Sequence, residues 1–157
     1  MGNRPNTIKI DSYAKRLKIA EKVAYSLLNK PYIWGGDNPV QGLDCSGLVI
    51  EILKSVGLLP AQGDWNAESL YRRFKAHEIE EVDFTEGCLV FWQNSQGICN
   101  HVEYALSIEL SIGARGGGST IKTPNDALKK GAYSKIRPWK GRPGRTIKAL
   151  VDPFLNP

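Results

Sequence analysis

Hydrophobic positions near the start of the chain recur at helical spacing. Tyr13, Leu17, Ala20, Val23, Ala24, Leu27 and Leu28 stand three or four residues apart, which predicts an amphipathic helix from about Ser12 to Asn29. Asp11 or Ser12 would cap it and Pro31 would stop it. Residues 31–44, PYIWGGDNPVQGLD, hold Gly35, Gly36, Pro39 and Gly42 and read as a loop. A second helix is predicted from Cys45 to Val56, with Leu48, Val49, Ile52, Leu53 and Val56 inward and Gly57 closing it. A shorter one covers Asn66 to Phe74.

Past Glu81 the period changes. Cys88 to Trp92 is a short apolar run between Gly87 and the turn residues Asn94-Ser95-Gln96-Gly97, so it reads as a strand. Val102 to Leu106 and Leu110 to Ala114 predict two antiparallel neighbours, with His101 opening the first. Residues 115–119 read as a loop, and a last strand runs from Thr146 to Val151. Helices followed by strands, without βαβ alternation, indicate an α+β domain with an antiparallel sheet.

Composition narrows the class. A chain of 157 residues, 41% apolar and 24% charged, is expected to form a single domain, 1–157, that buries a core. No apolar run is long enough to span a membrane. The start lacks the apolar stretch of a secretory signal, so cytoplasmic synthesis is expected. Gly2 does not complete a myristoylation motif, because Asn6 stands where Ser or Thr is needed. Three cysteines at irregular spacing argue against a disulfide scaffold. The net charge of +5 is uneven: residues 129–157 hold eight Lys and Arg against Asp152 alone. Such a segment is either a solvated basic face or an attractor for a polyanion such as an anionic wall polymer.

Cys45 carries the candidate chemistry. It stands where a Gly-rich loop meets a well-patterned helix, with Asp44 as N-cap. Free N–H groups and the helix dipole at such a position favour a thiolate and lower the thiol pKa. The competing reading is a small apolar residue at a helix end. Of the two histidines, His77 sits in a charged stretch and His101 on a strand, the rigid support that a base requires. A zinc site from Cys99, His101, Cys88 and Cys45 fits no usual ligand spacing. The run Gly116-Gly117-Gly118 lacks the Lys-Ser/Thr of a phosphate loop.

Four blocks together resemble the NlpC/P60 cysteine peptidases: Tyr32-Ile33-Trp34-Gly35-Gly36, Gly42 to Val49 (GLDCSGLV), Gly87 to Trp92 and Asn100-His101-Val102. The resemblance covers roughly residues 12–120. It implies a papain-like fold, in which the Cys helix packs on an antiparallel sheet bearing the His. It also implies hydrolysis of peptidoglycan stem peptides at the D-γ-glutamyl–diamino acid bond, without metal or cofactor. Cys45 would be the nucleophile and His101 the base. Tyr32 would assist the oxyanion, and Asp44 and Ser46 would line the pocket or simply cap the helix. The run from Ser111 to Gly118 and the closing Val151 to Phe154 look more like phage-encoded or tail-associated members, with tail proteins as partners and phage-type delivery to the wall. One departure stands out. The polar residue that orients the His in this family falls, by counting, on Gly113. Glu103, two residues from His101 on the same strand face, is the expected substitute. With no orienter, the alternative is a phage structural protein that keeps the fold with little or no catalysis.

Overall fold

The computed structural model describes residues 4–155, with side chains from residue 12; Gly2 lies outside the described residues. Helix α1 runs from Arg4 to Ser26. It therefore begins well before Asp11 and Ser12, which are interior rather than capping. Pro5 is tolerated in a first turn, and no glycine interrupts the residues that follow, so the helix extends beyond its apolar stripe. It ends before Pro31, in a turn closed by Asn29 at φ 62°, the left-handed conformation that commonly terminates helices.

The segment read as a loop is more ordered than expected. Strands β1 (Asp37–Asn38) and β2 (Gly42–Leu43) pair as a small hairpin, and Tyr32 bridges to Leu43 just before Asp44. Helix α2 follows over Cys45–Ser55, and α3 covers Ala67–Phe74 behind an Asn66 capping box.

The remaining strands are β3 (Glu78–Ile79), β4 (Leu89–Gln93), β5 (Cys99–Ala105), β6 (Leu110–Ala114), β7 (Ser134–Pro138) and β8 (Thr146–Val151), with α4 (Pro124–Lys130) between β6 and β7. They form one six-stranded antiparallel sheet in the order β3-β8-β4-β5-β6-β7. The architecture is α+β and papain-like. Strand β7, absent from the sequence reading, is an edge strand whose Lys135 and Arg137 leave no alternating apolar signal. Helix α4 was also missed, although Thr123 and Asp126 form a capping box around Pro124.

Alternation across the sheet separates two apolar clusters. Leu89, Phe91, Val102, Tyr104 and Ile112 pack with Leu48, Val49, Ile52 and Leu53 of α2. On the other face Cys88, Val90, Trp92 and Ala105 pack with Phe84 and Trp139. His101 lies inside β5 rather than at its start, opposite Trp92. A bulge beside it lets Trp92 face His101 while Gln93 faces Cys99, the kind of irregularity that re-aims a side chain.

Candidate active site

The thiol side of the site is built locally. Asp44 caps α2, its Oδ1 accepting from Gly47 N at 2.7 Å and from Ser46 Oγ at 3.0 Å. A Cβ at Gly47 would stand 2.1 Å from Gly36 O, so only glycine lets the Trp34-Gly35-Gly36 loop lie against the helix start. Gly117 plays the same part at Tyr32, where a Cβ would meet the ring at 2.0 Å. Tyr32, Asp44, Cys45 and Ser46 all line one groove of about 440 Å³, together with Trp34, Asp64, Trp65, Glu68 and Asn100. Its charged lining residues are all acidic.

Cys45 is half-buried, and its resting electrostatics oppose the expected lowered pKa. Burial, then the Asp44 charge, push the thiol up to about 12, against the N–H groups of Val102 and Ser46. The helix start is present, but the desolvated sulfur and its acidic neighbour outweigh it. Val102 N–H belongs to β5, one residue from His101, so the nucleophile helix meets the histidine strand at the sulfur. Burial, with smaller contributions from Cys45 and Asp44, also raises the Tyr32 phenol, which therefore stays a protonated donor.

The imidazole side is built at long range. His101 and Glu103 do not line the groove; both are buried, Glu103 completely. His101 Nε2 lies 2.8 Å from Glu103 Oε1. Glu103 Oε1 also accepts from Arg142 Nη1 at 2.7 Å, and Oε2 accepts from Arg142 Nη2 at 2.8 Å and from Ser111 Oγ at 2.6 Å. Four acceptor sites are thus occupied, the full capacity of an ionised carboxylate. Arg115 adds a second guanidinium, with Nε 3.4 Å from Oε1. Burial alone would raise the Glu103 pKa; the hydrogen bonds and charges of His101 and Arg142 bring it down to about 2. Since an ionised carboxylate only accepts, the His101 proton is assigned to Nε2, and Nδ1 is left as the free base.

The observed register explains the glycine at the counted position. Tyr104 pairs with Ile112 and Ala105 with Ser111, so the next step places Gly113 opposite Glu103, not opposite His101. A Cβ at Gly113 would stand 2.3 Å from Glu103 Cγ and 2.5 Å from Oε1. The bare glycine is the space that the glutamate fills. Arg142 was missed as a site residue, because a charge run offers no sign of which member turns inward. Cys88 is buried in the Trp92–Trp139 cluster, and Cys99 lines the groove. Among the described residues no group of three or more His, Cys, Asp or Glu could hold a metal ion, and no helix is long and apolar enough to cross a membrane.

Residues 29–139 match the model of the NlpC/P60 family. The murein DD-endopeptidase MepH of Escherichia coli is 35% identical over 97 residues, 59% of this chain and 35% of that protein. The probable endopeptidase YafL of the same organism is 33% identical over 96 residues, 60% of this chain and 38% of its own length. The chain thus spans little more than a third of either relative. A solved NlpC/P60 family protein from Bacillus cereus shares the fold with a TM-score of 0.66 at 21% identity, over 86% of this chain and 39% of that one. The peptidoglycan hydrolase RipB of Mycobacterium tuberculosis does so with a TM-score of 0.64 at 20% identity, over 96% of this chain and 72% of that one.

Proposed function

The chain belongs to the NlpC/P60 family, and on that premise we propose that it is a cysteine endopeptidase acting on peptidoglycan stem peptides. The observation that carries the reading is a groove-lining Cys45 at the first turn of α2, packed against the strand that holds a tautomer-fixed histidine. His101 Nδ1 takes the thiol proton as Sγ attacks the scissile carbonyl carbon, so that thiolate forms only as it is used. That sequence accommodates a resting thiol of high pKa. The tetrahedral oxyanion receives the Cys45 backbone N–H and the Tyr32 hydroxyl. The imidazolium then protonates the leaving amine, and water hydrolyses the thioester.

Asp44, Asp64 and Glu68 give the groove its acidic lining, suited to a substrate amino group, with Asp44 and Ser46 closest to the thiol. The bond proposed is D-γ-glutamyl–diamino acid. One relative's name, murein DD-endopeptidase, supports peptide cleavage in murein as the reaction class, and product masses separate the two bonds. The test is digestion of purified peptidoglycan with wild type and Cys45→Ala. The reading requires new amino termini from the wild type and none from the variant. Equal release from both, or none from the wild type, overturns it and favours a structural component, of a phage tail for example, that keeps the fold without chemistry.

A further inference from the structure

The segment after residue 139 lies outside the part of the chain that matches the family model, yet its loop between β7 and β8 reaches the carboxylate that holds the histidine. We propose that Arg142 is a positioning residue of the site: its two-armed grip on Glu103 fixes which ring nitrogen of His101 is free to act as base. This rests on the reading of Cys45 and His101 as the reacting pair.

The geometry is that of a built contact rather than a surface ion pair. The Arg142 side chain is 8% exposed and Glu103 fully buried. The fork is bidentate, and its second arm also lies 3.3 Å from Ser111 Oγ. The guanidinium further sits over the Trp92 ring, 4.6 Å from its centroid. Trp92 in turn packs on the His101 ring at 5.3 Å. Carboxylate and indole, the two groups that touch the imidazole, therefore share one cation, and a bidentate guanidinium fixes the carboxylate plane in a way a lysine point charge does not. Without the fork, Glu103 stays ionised but could rotate about its last torsion. It would then no longer impose the Nε2–H tautomer.

The charge balance follows from the same contact. From its own strand His101 faces Glu103. The Cys45 thiol at the start of α2 meets the next residue of the strand, Arg115 at the end of β6 reaches Glu103, and Arg142 and Arg145 come from the β7–β8 loop. Burial lowers the His101 pKa first, and Arg145 and Arg142 lower it further, against the raising effect of Glu103. In an Asp-His pair without such cations the acid partner stabilises the imidazolium. Here Arg142 neutralises that partner, so Glu103 orients the ring more than it charges it. Removing Arg142 takes away a lowering influence and leaves His101 beside a less screened carboxylate, with only Arg115 still near it, so its midpoint should rise.

The test is an NMR titration of the His101 ring nitrogens in wild type, Arg142→Met and Arg142→Lys. Wild type should show the proton on Nε2 alone. Arg142→Met should show a mixture of tautomers and a midpoint moved to higher pH. Where Arg142→Met fails to fold, Arg142→Lys carries the decision: it keeps the charge but loses the fork, so the tautomer mixture should appear with a smaller midpoint shift. In turnover the variants should lose kcat by about 100-fold, as for a group misplaced by about 1 Å, with KM little changed. A single Nε2–H tautomer in both variants with an unmoved midpoint overturns the proposal. Since the ring signals need no substrate, that result is distinct from failure to cleave peptidoglycan.

Discussion

The two halves of the site are assembled in different ways. The thiol half comes almost entirely from contiguous sequence: Asp44 caps the helix that Cys45 begins, Ser46 bonds back to the cap, and the loop at residues 32–36 lies on them through Gly36 and Gly47. The imidazole half is gathered from three separate stretches, since Glu103 meets Ser111 across a hairpin and Arg142 from 39 residues away. The first half rests on short-range hydrogen bonds to the Asp44 carboxylate, one from a helix N–H and one from a hydroxyl. The second rests on buried charges that are tolerable only together. The contrast teaches that the nucleophile is locally robust, whereas the base depends on a network gathered from distant parts of the chain.

Substitutions can break this comparison at several points. The largest effect is expected from Cys45→Ala, which should reduce product release from peptidoglycan fragments about 10,000-fold or more while leaving thermal unfolding almost unchanged. Glu103→Ala should damage both properties. It frees the imidazole and leaves Arg142 buried without its partner, at a cost of about 3–5 kcal/mol in urea unfolding. Gly113→Ala touches neither thiol nor imidazole, yet it should displace Glu103 and destabilise the protein by about 1–3 kcal/mol. The smallest change in stability should follow Asp44→Ala, which removes one helix cap worth about 1 kcal/mol in urea unfolding. If Asp44→Ala proved more damaging than Glu103→Ala, the contrast between local and gathered halves would fail.

Acid sharpens the same contrast. Glu103 is held down at about 2 against an ordinary 4.5, so its contribution is complete above the unfolded value and is lost as pH falls towards about 2. His101 is lowered from 6.5. The unfolded chain therefore binds that proton more readily, and stability declines below the ordinary histidine range. Both effects run in one direction. Chemical unfolding measured at falling pH should show wild type losing stability below about pH 6.5, and Glu103→Gln losing less below about pH 4.5.

Much of the thiol half was legible in the sequence. The α2 boundary, the Asp44 cap and the Gly-rich approach are local patterns, and the strands from Leu110 to Ala114 and Thr146 to Val151 emerged at their observed bounds. Glu103 was accessible too, through the two-residue period of a strand. The register was not. Counting placed the family's His-orienting position at Gly113, but the β5–β6 pairing puts that glycine across from Glu103. Arg142 was hidden for a different reason. Eight basic residues in one segment all look solvated until the fold shows which one meets a buried carboxylate. The sign of the Cys45 shift was equally out of reach, because a helix start is a sequence feature and desolvation is not.

Catalysis at this site turns on proton transfer from Cys45 to His101, and the direct measurement is the alkylation rate of Cys45 from about pH 4 to about pH 10, in wild type and His101→Ala. Wild type should rise along an acid limb below about pH 6.5, set by the lowered His101, and then level off, because the free imidazole removes the thiol proton as the bond forms. The variant should label slowly throughout that range and accelerate only towards the thiol's own value, pushed up to about 12. Superimposable curves for the two proteins would contradict the account.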